Sequence, residues 1–166
     1  MIPFRRAPAK VIVPDLDNTL WGGVVGEDGS ERIVLDGPRI ELQQFLLNQR
    51  SQGRLLAIAS QNNEEDAWEA FRRPEMLRQP EHFAAHRINW EPKSFNLADL
   101  SRELSLGLES FILIDDSAKD IAEVESNQPQ GANSAFAGAA RRDRGGASAF
   151  LAIRPGQGHK GRPAAH

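Results

Sequence analysis

Short apolar runs alternate with amphipathic stretches along the first 125 residues. Lys10 to Val13 is a short β-branched run that reads as a strand. Pro38 to Gln52 carries Leu42, Phe45, Leu46 and Gln49 on helical spacing, and Gly53 stops it. Leu55 to Ala59 reads as a second buried strand. Asn63 is placed to cap the next helix, with Glu64, Glu65 and Asp66 in the first turn, where the helix dipole favours acids. That helix carries Ala67, Trp68, Ala70 and Phe71 and should end before Pro74. Phe83 to Ile88 is a weaker strand, and Phe95 to Leu104 a third helix with Leu97, Leu100 and Leu104 on one face. Phe111 to Ile114 is the clearest buried strand, and a helix is expected from Ala118 to Glu125. Strands alternating with helices of this length predict βαβ units, hence an α/β Rossmann-like parallel sheet with helices on both faces.

Beyond Glu125 the pattern fades. From Ser126 onward there are six basic residues and one acidic, a net of +5, which leaves −8 of the overall −3 to residues 1–125. Phe136, Phe150, Leu151 and Ile153 are the only large apolar side chains in this Ala-, Gly- and Arg-rich stretch. So little buried surface does not offset the entropy of ordering a chain, and residues 126–166 are expected to be a mostly disordered tail on a 1–125 domain.

Composition narrows the function. The 166 residues hold 20 Lys+Arg against 23 Asp+Glu, which argues against a dedicated nucleic-acid binder. Without cysteine there are no disulfides, thiolate metal sites or thiol nucleophile. No apolar run approaches membrane-spanning length, and Met1-Ile2-Pro3-Phe4-Arg5-Arg6 has no apolar stretch behind it. The expected setting is the cytoplasm, with no membrane partner.

The chemistry falls at strand ends. Asp15 and Asp17 follow the first apolar run, and Asp115 and Asp116 follow the last. Ligands of open parallel sheets bind beyond the carboxyl ends of the strands, so both pairs converge if those strands are neighbours. An extended backbone would point Asp15 and Asp17 the same way. Gathered carboxylates raise one another's pKa unless a hard cation joins them, and Mg²⁺ takes one or two carboxylates with water and phosphate oxygens. Taken singly, each pair is also what a turn or a helix cap looks like. Ser60 ends the second strand, Gln61-Asn62-Asn63 leads into a helix N-terminus suited to phosphate, and Lys93, one of four lysines, opens the third helix.

In order, Asp15-Leu16-Asp17-Asn18-Thr19, Ser60, Lys93 and Asp115-Asp116 resemble the four motifs of the haloacid dehalogenase (HAD) superfamily of phosphohydrolases. The run from Asp15 to Gly29, with Ser60-Gln61-Asn62-Asn63, Ile88 to Lys93 and Phe111 to Asp116, resembles the FkbH-like group, subfamily IIIC. The resemblance implies Mg²⁺ as cofactor and metal contacts from Asp15, Asp17, Asp115 and Asp116. It implies that Asp15 is a nucleophile forming an aspartyl-phosphate, and that Asp17 protonates the leaving oxygen and later activates water. Ser60, Gln61, Asn62 and Lys93 would hold the phosphoryl group, and Thr19 would fix the loop. Gly22 to Gly37 would form a small hairpin flap, with no large cap domain. FkbH-like domains are associated with loading a glyceryl unit from 1,3-bisphosphoglycerate onto an acyl carrier protein, so a phosphorylated small molecule and such a carrier are the implied partners. A plain phosphatase and a catalytically degenerate carrier-docking module stand as alternatives. A receiver-like phosphoacceptor domain is disfavoured by the Asp-x-Asp-x-Thr spacing.

The sequence departs from that pattern in places. Pro14 stands where the group has an aliphatic or aromatic residue, and a proline in a central strand predicts local distortion. Gln61 replaces a common lysine, Ser117 replaces an asparagine, and the resemblance stops after Glu125.

Overall fold

The computed structural model describes residues 9–77, 79–127 and 133–136. Five strands, β1 (Val11–Pro14), β2 (Leu55–Gln61), β3 (Ala85–Asn89), β4 (Phe111–Asp115) and β5 (Asn133–Phe136), form one parallel sheet in the order β3-β2-β1-β4-β5. The helices are α1 (Val25–Asp28), α2 (Gly37–Ser51), α3 (Glu64–Phe71), α4 (Lys93–Leu104) and α5 (Ala118–Asn127).

Alternation along each strand splits the core in two. Ile12, Leu56, Ile58, Ile112 and Ile114 pack with Leu42 and Leu46 of α2 and Ala67, Ala70 and Phe71 of α3. Val11, Val13, Ala57, Ala59, Phe111 and Leu113 pack with Leu97 and Leu100 of α4 and Val124 of α5. A strand covered on both faces has no solvent side, which is why these runs are continuously apolar. Local chemistry sets the helix starts: Asp36 accepts from the Arg39 backbone with Pro38 in the first turn, and Asn63 accepts from the Glu65 backbone at 3.1 Å.

The chain leaves β1 for β2 on one side and later places β4 on the other, so β1 lies at the point where strand order reverses. Such a point opens a crevice beyond the strand ends. Pro14 fits there for a simple reason. Asp15 N–H donates to the Ile114 carbonyl at 2.9 Å, so its neighbour Pro14 turns its nitrogen toward β2. Pairing with β2 is confined to Val11 and Ile12, and no ladder bond is lost.

The expectation of a hairpin flap is corrected. The segment from Gly22 to Gly37 is not an extended hairpin: it holds the one-turn helix α1, closed by a single antiparallel bridge between Gly22 and Val34. A helical turn wins because its backbone is tied locally, the Asp28 carboxylate accepting from the Val24 N–H at 2.9 Å. Two described stretches lie past Glu125. Helix α5 runs to Asn127, and Asn133–Phe136 pairs with Ile112 to Asp115, giving the outer edge of β4 a backbone partner. The remainder of the expected tail lies outside the described residues. Among the described residues no helix is long and apolar enough to cross a membrane, and no large cap interrupts the strands.

Candidate active site

Strand β1 ends at Pro14 and the chain turns at once, the N–H groups of Thr19 and Leu20 both donating to the Leu16 carbonyl. Asn18 adopts a left-handed φ of 56°, which asparagine tolerates, and its side chain accepts from the Gly23 N–H. Asp15 and Asp17 flank the start of this turn, and each has its own set of partners.

Asp15 is buried at the tip of β1. Its Oδ1 accepts the Leu16 N–H at 2.7 Å, Ser60 hydrogen-bonds to it, and Lys93 Nζ lies 3.3 Å from Oδ2. The same ammonium is 2.5 Å from Asp115 and 3.9 Å from Asp120. Asp115 is wholly buried, and its other oxygen accepts the Ser117 N–H at 2.9 Å. Ser117 Oγ accepts in turn from the Asp120 N–H, which starts α5 and fixes where Asp120 sits.

Oxygens of Asp15, Asp115 and Asp120 all lie within 4.8 Å of one another. Three carboxyl groups thus share one ammonium, Asp15 and Asp115 buried and Asp120 partly exposed. Burial is the main reason that Asp15 is a raised acid: with Asp115 it outweighs Lys93 and pushes Asp15 up to about 7 from 3.8. The Lys93 ammonium is held above its usual range because Asp15 and Asp115 outweigh its own burial. A divalent, oxygen-seeking cation fits this donor set in both charge and ligand type.

Asp17 anchors a second cluster. Its Oδ1 accepts from the buried Trp21 indole and the Val25 N–H, each at 3.0 Å, and its Oδ2 from the Asn62 amide at 2.9 Å. The N–H of Val25 is the first of α1, so the short helix and Trp21 are pinned onto this carboxylate. Thr19 Oγ1 donates to Asp116 at 3.3 Å, and burial together with Asp115 raises the Asp116 carboxyl.

The structure thus brings Asp15, Ser60, Lys93 and Asp115 together and adds Asp120, which sequence reasoning overlooked. Asp116 is not one of the three grouped carboxylates Asp15, Asp115 and Asp120 and accepts from Thr19 instead. Gln61 is exposed and donates to the Glu91 carbonyl at 3.0 Å, and Asn62 points its amide to Asp17. A spacing of five residues from Asp115, one turn into a helix, was the available signal for Asp120. Nothing in the sequence alone marked Trp21 as a donor to Asp17.

The parallel sheet with a carboxylate-rich crevice at its switch point is an α/β architecture, and solved structures place it as the HAD-type fold. Two solved structures share the fold: a HAD family enzyme of Bacteroides thetaiotaomicron complexed with magnesium and inorganic phosphate and a HAD-like family hydrolase of Porphyromonas gingivalis. Their TM-scores are 0.59 and 0.55, at 12% and 13% identity, covering 77% and 78% of this chain and 93% and 91% of theirs. The N-terminal part of a Bacteroides fragilis protein, containing a phosphatase domain and complexed with Mg, aligns with a TM-score of 0.74 and 36% identity over 77% of this chain. The present chain spans 36% of that chain's length. No family model matches the sequence, and the curated proteins include no match.

Proposed function

We propose that this chain is an Mg²⁺-dependent HAD-type enzyme that transfers a phosphoryl group through a covalent phosphate on Asp15. The buried constellation of Asp15, Lys93, Asp115 and Asp120 carries this reading, supported by the Mg and phosphate complexes of the similar structures. Asp15, Asp115 and Asp120 would hold the ion, which when bound draws charge from the phosphoryl oxygens. Asp15 Oδ attacks phosphorus, the bond to the leaving oxygen breaks, and Asp17 delivers a proton to that oxygen. Water then attacks the aspartyl-phosphate and gives its proton to Asp17, restoring both carboxyl groups. Lys93 cancels part of the repulsion between a carboxylate and a phosphate dianion, so the chemistry is mainly positioning and charge. Ser60 orients Asp15, and Asn62, Trp21 and Val25 orient Asp17.

A generic phosphate ester tests this directly. Turnover should require Mg²⁺, stop in excess chelator and fall to background in Asp15→Asn, which keeps size and loses the attacking charge. Turnover that survives in either condition overturns the assignment.

The substrate follows from the resemblance of Asp15 to Gly29 to the FkbH-like group and from the lack of a large cap among the described residues. Few walls surround a small ester, so binding energy from its remote parts is scarce. An acyl phosphate such as 1,3-bisphosphoglycerate has a good leaving group, and an acyl carrier protein beside the mouth supplies walls. A glyceryl thioester would form by attack of the carrier thiol on the acyl carbon with departure of the acyl-bound phosphate, while Asp15 takes the remaining ester phosphoryl group; the thioester would sit on the carrier and not on this cysteine-free chain. Intact-mass measurement of both proteins after incubation reads the outcome. Efficient turnover of one small phosphate with no adduct on cognate carriers favours the plain phosphatase, and carrier binding without turnover the docking module.

A further inference from the structure

Helix α4 begins at Lys93, immediately after Pro92, whose side chain supplies no cap. A cation in a first turn is opposed by the helix dipole, and the leading N–H groups need acceptors. The acceptor comes from a different helix. Glu123 of α5 takes the Ser94 N–H on one oxygen at 3.0 Å and the Ser94 hydroxyl on the other. Asn127 holds Glu123 in turn, its amide donating to the Glu123 carbonyl at 2.9 Å and to the carboxylate at 3.3 Å. Ser94 is buried beside Lys93, and Glu123 lies three residues after Asp120 on the same helix.

One carboxylate therefore ties the first turn of the Lys93 helix to the helix that carries Asp120. Lys93 is a long, flexible side chain, and only the fixed start of α4 makes its Nζ reach Asp15 and Asp115 together. We propose that Glu123 is a positioning residue for phosphoryl transfer: through Ser94 it sets the place of Lys93 against Asp15 and Asp115. This rests on the reading of Asp15 as the nucleophile.

Misplacing a charge-bearing group by a fraction of an ångström costs rate while leaving the fold intact, so Glu123→Ala should lower kcat about tenfold or more with a smaller change in KM. Glu123→Gln keeps an acceptor for the Ser94 N–H and should recover most of that loss. The decisive arm is Lys93→Met, because a group acting through Lys93 has nothing left to position there. Adding Glu123→Ala to Lys93→Met should then change turnover of p-nitrophenyl phosphate with Mg²⁺ by less than about twofold. Full activity in Glu123→Ala, or an equal loss in both backgrounds, overturns the proposal. Should Glu123→Ala not fold, Ser94→Ala in the same two backgrounds decides: a loss of about threefold confined to the Lys93 background supports it, and no loss overturns it. Retained turnover in Asp15→Asn overturns the phosphoryl-transfer reading itself, and the positioning role with it, and is distinct from unchanged turnover in Glu123→Ala.

Discussion

The Asn62 amide donates to Asp17 Oδ2 at 2.9 Å, joining the end of β2 to the loop after β1 across 45 residues of sequence. Asp17 is held by three hydrogen bonds, and in its proposed role as proton donor it must be fixed facing the leaving oxygen. Asn62→Ala should lower kcat for an alkyl phosphate about tenfold, and much less for p-nitrophenyl phosphate, whose leaving group needs little protonation. Steady-state kinetics on the two esters measure the difference, and equal losses would assign Asn62 a role other than orienting Asp17.

Trp21→Phe removes a donor from the other Asp17 oxygen while keeping an aromatic ring against Phe71, which meets Trp21 edge-on at 5.7 Å. The expected outcome is the same leaving-group dependence with a loss of about 1–3 kcal/mol in stability, since the freed carboxylate oxygen keeps the Val25 N–H. Thermal unfolding beside the kinetics on both esters checks it.

Proton linkage at Asp15 has a defined sign. Its folded pKa of about 7 lies above the ordinary 3.8, so the folded metal-free protein binds more protons than the unfolded chain between those values. This contribution to stability is fully present below pH 3.8 and is lost as pH rises through about 7. A cation competes for the same oxygens, so Mg²⁺ should raise the melting temperature more above pH 7.5 than at pH 5.5, about two units apart on the scale. Differential scanning calorimetry with and without Mg²⁺ tests this, and a Mg²⁺ effect independent of pH would remove Asp15 from the metal site.

How much of this was legible in advance differs by residue. Asp15, Ser60, Lys93 and Asp115 each sit directly at a strand end or helix start, so chain order and the geometry of parallel sheets sufficed to bring them to one rim. Asp120 and Glu123 escaped because which way a helix faces is decided by packing, here by Val124 and the partly buried Ile121 seating α5 against the sheet. Gln61, expected at the phosphate, is exposed and donates to the Glu91 carbonyl, one position along the strand from the buried Ser60. The fifth strand was missed for a related reason. Its drive is the unpaired backbone of β4, which side-chain composition does not reveal.

That strand gives a direct test. A chain ending at Asn127 exposes the edge of β4 and should lose several degrees of melting temperature and self-associate at raised concentration. A chain ending after Gly145 retains β5 and should differ little from the full chain. Calorimetry and light scattering on both forms measure it, and equal stability of the two would show that β5 contributes nothing to the sheet.

The sheet order also has a kinetic meaning. Strand β1, which presents Asp15, takes its flanking partners from Leu55 onward on one side and from Phe111 onward on the other. Asp15 is therefore made early in synthesis, whereas Lys93 and the Asp115 and Asp120 carboxylates arrive 78 to 105 residues later. No smaller unit of the chain closes the crevice, and contacts so distant in sequence form late. Catalytic competence should then appear in one step with the last central strand, so recovery of turnover during refolding reports the moment at which β4 slides in beside β1.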